Sequence, residues 1–145
     1  NLLQPILRNE ADLVLGSRIR GSHKGMAPSH LTGNLILSFI ATLLFARLVT
    51  DLMTGYKATR RSVLQECVPS STGFEVEAEV VAKALNRGFR LREVPIRYEY
   101  RRAGFSKINW KYAVASIGQL LRARIYMILA ILVFALGLAI RYAGT

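Results

Sequence analysis

Cysteine and histidine are nearly absent from this chain. Cys67 is the single cysteine among 145 residues, and His23 and His30 are the two histidines. One cysteine excludes an intrachain disulfide, which suits a reducing compartment. A zinc site built from cysteine and histidine takes four ligands, so the sequence predicts no such site either.

Acidic residues are also scarce. Nine Asp and Glu stand against twenty Lys and Arg, and the formal charge is +11 although 52% of residues are hydrophobic. Excess charge normally accompanies low hydrophobicity in soluble chains. We therefore interpret the apolar residues as serving a protein core and a bilayer, and the basic residues as facing phosphates. Nucleic acid, anionic lipid head groups and phosphorylated substrates all remain candidates by composition.

The first residues do not form a signal peptide. Residues 1–5 (NLLQP) lack an initiator Met, a basic segment and a cleavage site. We interpret this start as a cut inside a longer protein.

Hydrophobic spacing and turn residues predict alternating strands and helices. Pro95 lies inside the strand predicted over 90–100, so this strand is expected to be an edge strand or to contain a bulge. The predicted elements are a strand over 11–15 that leads into a loop at Gly16, a loop over 19–28, a helix over 31–49, an extended piece over 57–60, a helical turn over 62–67 capped by Ser62, a helix over 74–86 and a strand over 90–100. Gly88 provides the stop of the helix over 74–86, and polar residues, Glu93 among them, alternate with apolar ones in the last strand.

The helix predicted over 31–49 is apolar but carries one polar stripe. His30, Asn34, Ser38 and Thr42 recur at every fourth position, so they share a face. A helix surrounded by lipid has little use for such a stripe. We favour a buried or interfacial helix over a membrane span.

The C-terminal region divides into two predicted parts. Residues 109–124 have amphipathic spacing, and the sixteen residues 125–140 carry no charge. At about 1.5 Å per residue this stretch is about 24 Å long, and an extension to 143 brings it close to the roughly 30 Å of a bilayer core. We predict a juxtamembrane helix over 109–124 and a transmembrane helix over 125–143; a buried helix of a soluble domain is the alternative.

Four short segments carry residues suited to phosphate or sugar chemistry. Arg18 offers a planar fork of donors to phosphate oxygens. Asp51 is a lone carboxylate in a basic stretch, and it is either a structural ion-pair partner or a functional anion. The acidic residues over 75–79 fit a solvated helix start better than a site. The basic loop over 101–107 fits a phosphate cradle or, alternatively, a cluster bound to anionic lipid.

Six segments in this order resemble family 2 glycosyltransferases of the dolichyl-phosphate mannose synthase type, including bacterial polyprenyl-phosphate relatives. Each segment alone is common, but the ordered set is specific. They are ADLVLGSR at 11–18, HLTGN at 30–34, DLMTGY at 51–56 with Arg60 and Arg61, GFEVE at 73–77, EVPI at 93–96, and RxxGxSK at 101–107.

The resemblance implies an α/β fold: the C-terminal half of a GT-A (Rossmann-like) mixed-sheet domain over 1–108, followed by the amphipathic and transmembrane helices. In this family an Asp-x-Asp motif carries a divalent metal, Mg²⁺ or Mn²⁺, and we expect it upstream of residue 1. The resemblance therefore implies no metal ligand in this chain, and we expect the chain alone to be inactive.

The resemblance also implies site residues. Arg18 would contact the acceptor phosphate, with His30 nearby, and Asp51 would lie beside the transferred sugar as a base or an orienting carboxylate. Glu75 and Glu79 would line the sugar pocket. Three residues of the basic loop would close over the donor diphosphate or the lipid phosphate, namely Arg101, Ser106 and Lys107.

The implied activity is sugar transfer from a nucleotide-sugar of the GDP-mannose or UDP-glucose type to a polyprenyl or dolichyl phosphate. Basic Lys111, Arg122 and Arg124 beside the apolar helix place the catalytic part on the cytoplasmic membrane face. The partners are then both substrates and the bilayer, and not nucleic acid, because aromatic and basic residues do not interleave as a stacking platform requires. The alternative is a basic membrane-anchored module that binds anionic lipid or nucleic acid without catalysis.

Overall fold

Three strands and five helices make up the computed structural model, which describes residues 2–99 and 110–143. Helices are interspersed along the chain with the strands of one mixed sheet, so the predicted α/β class is confirmed. In chain order they are α1 Gln4–Leu7, β1 Leu13–Ser22, α2 Pro28–Phe45, β2 Lys57–Thr59, α3 Arg61–Glu66, α4 Val76–Asn86, β3 Leu91–Arg97 and α5 Trp110–Ala143.

The strands form one mixed sheet in the order β2-β1-β3. The central strand β1 pairs antiparallel with β2 and parallel with β3. Its residues Leu13–Ser17 are buried. The prediction for Pro95 is confirmed in both respects, because β3 is an edge strand of the described sheet and its register with β1 shifts between Ser17 and Ser22.

β1 continues well past its predicted end at residue 15. The Gly16-Ser17-Arg18 segment was expected to begin a loop, but it lies within the strand. Parallel pairing of Gly16 with Val94 and of Ser17 with Pro95 holds this segment in the sheet. Further along, a Cβ at Gly21 would collide with the carbonyl oxygen of Ile96, so only glycine allows the backbones to approach this closely.

α2 buries polar as well as apolar side chains and exposes large apolar side chains on its outer face. Asn34 and Ser38 of the polar stripe are buried against the protein, whereas Phe39 is 63% exposed and Leu43 is 65% exposed on the opposite face. The helix ends at Phe45, earlier than predicted, because Ala46 adopts a left-handed backbone with φ 49°.

The shorter helices follow the predictions with one correction. α4 ends near Gly88, whose φ of 80° provides the predicted glycine stop. Ser62 is not the N-cap of α3: the helix begins at Arg61, and Arg60 precedes it without a side-chain cap. Tertiary packing of buried Val63 holds this short helix in place.

α5 is one helix that bends by 64° between Lys111–Ile125 and Ile128–Tyr142. The bend falls where the sequence predicts the change from juxtamembrane to transmembrane helix. Before it, Ser116 and Leu120 are fully buried; after it, Leu132 and Phe134 are largely exposed. By length and composition α2 qualifies as a membrane span, and the two arms of α5 qualify as a second if they are counted together.

Candidate functional site

A buried ion pair between Arg18 and Asp51 lies at the centre of the candidate site. Asp51 is completely buried, and its Oδ2 accepts hydrogen bonds from the backbone N–H (2.8 Å) and Nε (2.7 Å) of Arg18. Its Oδ1 accepts from Arg18 Nη2 at 2.6 Å. The Arg18 guanidinium also lies over the ring of Tyr98, 5.5 Å from its centroid. The fold thus brings together two residues that are 33 positions apart in the sequence.

Asn34 joins this pair from α2. Its side-chain N–H donates to Asp51 Oδ1 at 2.8 Å, while its amide oxygen accepts from the backbone N–H of Met53 at 3.0 Å. The Asp51 carboxylate therefore accepts four hydrogen bonds, which is its full ordinary capacity. His30 lies one turn earlier on the same helix face, half-buried.

The loop that carries Asp51 is fixed by side chains and not by sheet pairing. Backbone N–H groups of Thr50 and Asp51 donate to Glu93 Oε1 at 2.8 and 3.2 Å. The next N–H, of Leu52, donates to Ser38 Oγ at 2.9 Å, and that of Met53 goes to Asn34. Four consecutive donors are thus satisfied, which explains how an irregular buried loop stays ordered.

Glu93 connects this loop to the sheet. Its Oε2 accepts from the Thr50 hydroxyl at 2.7 Å, and that hydroxyl lies 2.7 Å from the hydroxyl of buried Ser17. Ser17 directly precedes Arg18 in β1. The chain from Glu93 through Thr50 to Ser17 therefore fixes β1 relative to the Asp51 loop.

A second, partly exposed ion pair shares the surroundings of the first. The Lys57 ammonium contacts Glu77 and the carbonyl oxygen of Thr54. Burial lowers the pKa of Lys57 below its ordinary value, and the Glu77 carboxylate opposes that shift. The charges of Asp51 and Arg18 also act on the Lys57 pKa, so the two pairs share one electrostatic environment.

The three acidic residues at the start of α4 make different contacts: Glu79 is buried, whereas Glu75 and Glu77 are partly exposed. The interpretation of this segment as a solvated helix start is therefore wrong for Glu79. Glu77 pairs with Lys57. Glu75 has one buried oxygen, Oε2, without a hydrogen-bond partner among the described residues. A buried carboxylate oxygen without a donor is costly, so this atom is suited to accept a hydrogen bond from a ligand hydroxyl.

Glu79 is 2% exposed and faces a different region from Asp51. Its oxygens accept from the backbone N–H groups of Ser70 and Ser71 at 2.9 Å, and Lys83 pairs with it at 2.6 Å. Against the cost of burial, these donors and Lys83 hold the Glu79 pKa well below its usual range. We interpret Glu79 as the anchor of the loop before α4.

The remaining predicted phosphate ligands, Arg101, Ser106 and Lys107, lie outside the described residues. Within residues 2–99 and 110–143, no group of three or more His, Cys, Asp or Glu side chains could hold a metal ion.

Sequence reasoning assigned no role to several residues that build this site. Glu93 belongs to one of the six recognised segments, yet its alternation in the strand suggested only a polar outer face. Thr50 and Lys57 had no distinguishing pattern. The polar stripe on α2 was the one pattern in the sequence that indicated this site. Three of its residues bind the 49–53 segment, namely Asn34, Ser38 and Thr42, and Thr42 contacts both the N–H and the carbonyl oxygen of Val49.

Several curated proteins are similar to the chain, and three of them are the following transferases. The dolichyl-phosphate hexose transferase of Haloferax volcanii is 31% identical over 115 residues, which are 79% of this chain and 49% of that protein. The UDP-N-acetylglucosamine–dolichyl-phosphate N-acetylglucosaminyltransferase of Methanococcus voltae is 33% identical over 68% of this chain and 41% of its own length. The polyprenol monophosphomannose synthase of Mycolicibacterium smegmatis is 31% identical over 68% of this chain and 39% of its own.

The chain belongs to the family 2 glycosyltransferases of the dolichyl-phosphate mannose synthase type. The resemblance drawn from the six segments is thereby confirmed. This glycosyltransferase chain spans about half the length of the relatives it matches, or less. No protein-family model and no solved structure matches it.

Proposed function

We propose that the protein transfers a sugar from a nucleotide-sugar to a polyprenyl or dolichyl phosphate at the cytoplasmic membrane face. The observation that carries this proposal is the buried, bidentate Arg18–Asp51 pair in a chain similar to transferases whose names specify dolichyl phosphate or polyprenol. The donor that we propose is of the GDP-mannose or UDP-glucose type.

Arg18 is the residue that we assign to the acceptor phosphate. Its Nε and one Nη2 hydrogen point to Asp51, and a guanidinium has five N–H donors. Among the described residues, the donors on Nη1 and the second donor on Nη2 therefore stay available for a phosphate. Because its side chain is 14% exposed, this charge is screened less than one on an open surface.

Asp51 acts as an orienting carboxylate in this proposal. Both of its oxygens accept hydrogen bonds from Arg18 and one also accepts from Asn34. The carboxylate therefore has no free lone pair with which to take a proton. A phosphate acceptor is already ionised at neutral pH, so the reaction needs no strong general base. Asp51 thus holds the Arg18 guanidinium in one geometry before substrate arrives.

The proposed step joins two anions. An acceptor phosphate oxygen attacks the anomeric carbon of the sugar, that carbon forms a bond to the oxygen, and the nucleoside diphosphate leaves with the electron pair of the broken bond. Fixed cations in a partly dry site offset the repulsion. We assign Arg18, His30, Arg101, Ser106 and Lys107 to the phosphates and Glu75 to a sugar hydroxyl; Glu79 supports the neighbouring loop.

The expected divalent cation, Mg²⁺ or Mn²⁺, does not fit the described residues. Asp51 has no free oxygen, Glu77 is paired with Lys57, and Glu75 offers a single unpartnered oxygen. We therefore assign its ligands to residues outside the described part.

Two surfaces support contact with the bilayer. The inner face of α2 buries both polar and apolar side chains, and its outer face exposes large apolar ones, whereas a helix on a soluble protein has a polar outer face. The outer arm of α5 exposes apolar side chains along its length. We propose that α2 lies at the membrane interface, that Ile128–Tyr142 enters the bilayer, and that basic Lys111, Arg122 and Arg124 keep the folded part in the cytoplasm.

The test is sugar transfer by the full-length protein. Radiolabelled nucleotide-sugar and polyprenyl phosphate are supplied, and label in a butanol-soluble lipid is counted. We expect Arg18→Ala and Lys107→Ala each to lower this product about 100-fold, with membrane insertion unchanged. Arg92→Ala, an exposed position on β3, is the matched control. Full turnover by both site variants would refute the site assignment.

A further inference from the structure

A basic cavity lies between α4 and α5, away from the Arg18–Asp51 pair. Its volume is about 220 Å³. Typical small-molecule pockets measure about 300–1,000 Å³, so this cavity suits a small head group better than a nucleotide-sugar. The side chains that define its polarity are Glu79, Lys83, Asn86, Arg87, Gln119 and Arg122.

The cavity keeps a positive charge after internal pairing. Glu79 is neutralised locally, because Lys83 lies 2.6 Å from its carboxylate and the Ser70 and Ser71 N–H groups donate to it. Arg87 and Arg122 have no carboxylate within 4.0 Å in residues 2–99 and 110–143. The guanidinium groups of Arg87, which directly follows α4, and of Arg122 on α5 thus line one cavity, and neither forms an ion pair among the described residues.

The cavity lies close to the bend of α5, beyond which we propose that the helix enters the bilayer. Arg122 lies three residues before Ile125, where the inner arm of α5 ends, and Leu129 beyond the bend is 49% exposed. Arg124 packs over the ring of Phe45 at the end of α2, 4.8 Å from its centroid. The cavity is therefore at the level where the packed part of the protein meets its exposed apolar surfaces.

We propose that this cavity binds the phosphate of an anionic phospholipid head group, with Arg87 and Arg122 as its ligands and Asn86 and Gln119 as polar neighbours. Basic pockets between helices at a membrane surface recognise such head groups. The site shares no lining residue with the Arg18–Asp51 pair. It rests on the membrane placement proposed above but not on sugar transfer, so either can fail without the other.

Native mass spectrometry of the full-length protein tests the proposal. The protein is extracted from phosphatidylcholine bilayers made with and without phosphatidylglycerol, and retained phosphatidylglycerol is counted. We expect Arg87→Gln/Arg122→Gln to retain about tenfold less than the natural sequence. Arg61→Gln/Arg92→Gln removes two exposed arginines elsewhere and should retain the same amount.

A second measurement keeps the natural sequence intact. Phosphatidylglycerol with a photoreactive head group is crosslinked in the bilayer, and attachment to the ends of α4 and of the inner arm of α5 is expected. Equal retention by the site variant, or crosslinks confined to other segments, would overturn the proposal. A third arm adds inorganic phosphate: tight binding of that ion without any preference for phosphatidylglycerol would identify a soluble phosphate as the ligand and refute the lipid.

Discussion

The Arg18–Asp51 pair gives the site its charge geometry at the scale of single residues. Asp51 is fully buried and the Arg18 side chain is 14% exposed, and three of the four hydrogen bonds to the Asp51 carboxylate come from Arg18. Taking away one charge of a buried pair leaves the other uncompensated, which costs far more than the net value of the pair.

Replacement of the carboxylate should therefore destabilise the protein. For Asp51→Asn we expect the free energy of unfolding to fall by about 3 kcal/mol, measured by denaturant titration. The double variant Arg18→Met/Asp51→Leu is the control, because it removes both charges, and it should recover part of that loss. Asp51→Asn with unchanged stability would contradict the structural role of the pair.

The polar stripe of α2 acts at the scale of an element, since it supplies acceptors to a neighbouring loop. Ser38→Ala would leave the buried N–H of Leu52 without a partner, and we expect a loss of about 1–2 kcal/mol of unfolding free energy. Thr32→Ala on the same helix removes an exposed hydroxyl that, among the described residues, donates to the carbonyl oxygen of Pro28, and it should change stability by less than about 0.5 kcal/mol. Equal effects in the two variants would show that the stripe does not support the loop.

The outer face of α2 makes a separate prediction about lipid contact. In a background without the single tryptophan, Trp110→Phe, we place tryptophan at Phe39 or at Leu64. Both positions are exposed, at 63% and 59%. Lipids brominated in their acyl chains should quench the fluorescence of Phe39→Trp and leave Leu64→Trp on α3 unaffected. Similar quenching at both positions would exclude α2 as the membrane-facing element.

The starts of β1 and β3 are joined by an ion cluster around Asp12. Hydrogen bonds from Arg90, supported by Arg60, lower the pKa of Asp12 to about 2 against the cost of burial. A carboxyl with a depressed pKa stabilises the fold above its ordinary value of 3.8, and the contribution disappears as the pH falls through about 2.

Unfolding measurements between pH 5 and 2 should detect this contribution. Because Arg90 is 48% exposed, solvent screening reduces it to the order of 1 kcal/mol. Other carboxyl groups also titrate in this range, so the informative quantity is the difference from Asp12→Asn. We expect that difference to be largest near pH 5 and to vanish near pH 2. A difference that does not depend on pH would contradict the linkage.

At the scale of the whole molecule, we propose that α5 passes from the folded part of the protein into the bilayer. The inner arm packs on α2 and α4, and the outer arm exposes apolar side chains. Leu132 and Gln65 are both exposed in the structure. Each is replaced by a single cysteine in a Cys67→Ser background. A membrane-impermeant maleimide added to membranes should label Gln65→Cys and not Leu132→Cys, and detergent should make both reactive. Labelling of Leu132→Cys in intact membranes would refute the bilayer placement.

What the sequence determined by itself was the set of local features. Apolar spacing predicted α4, glycine predicted its stop, and Pro95 predicted an irregular edge strand, because each depends on neighbours within a few positions. The order of the six segments was sufficient to identify the family. The α2 stripe showed that one helix face must meet polar groups, without showing which ones.

Only the tertiary structure decided the partners across long separations. Parallel pairing with β3 kept Gly16-Ser17-Arg18 in the sheet, where local turn residues had predicted a loop. Glu93 reaches the Asp51 loop from more than forty positions away, and Glu79 is buried although a surface helix start was expected. The physical reason is that buried polar groups require partners wherever the fold brings donors and acceptors together, and sequence spacing does not encode that proximity.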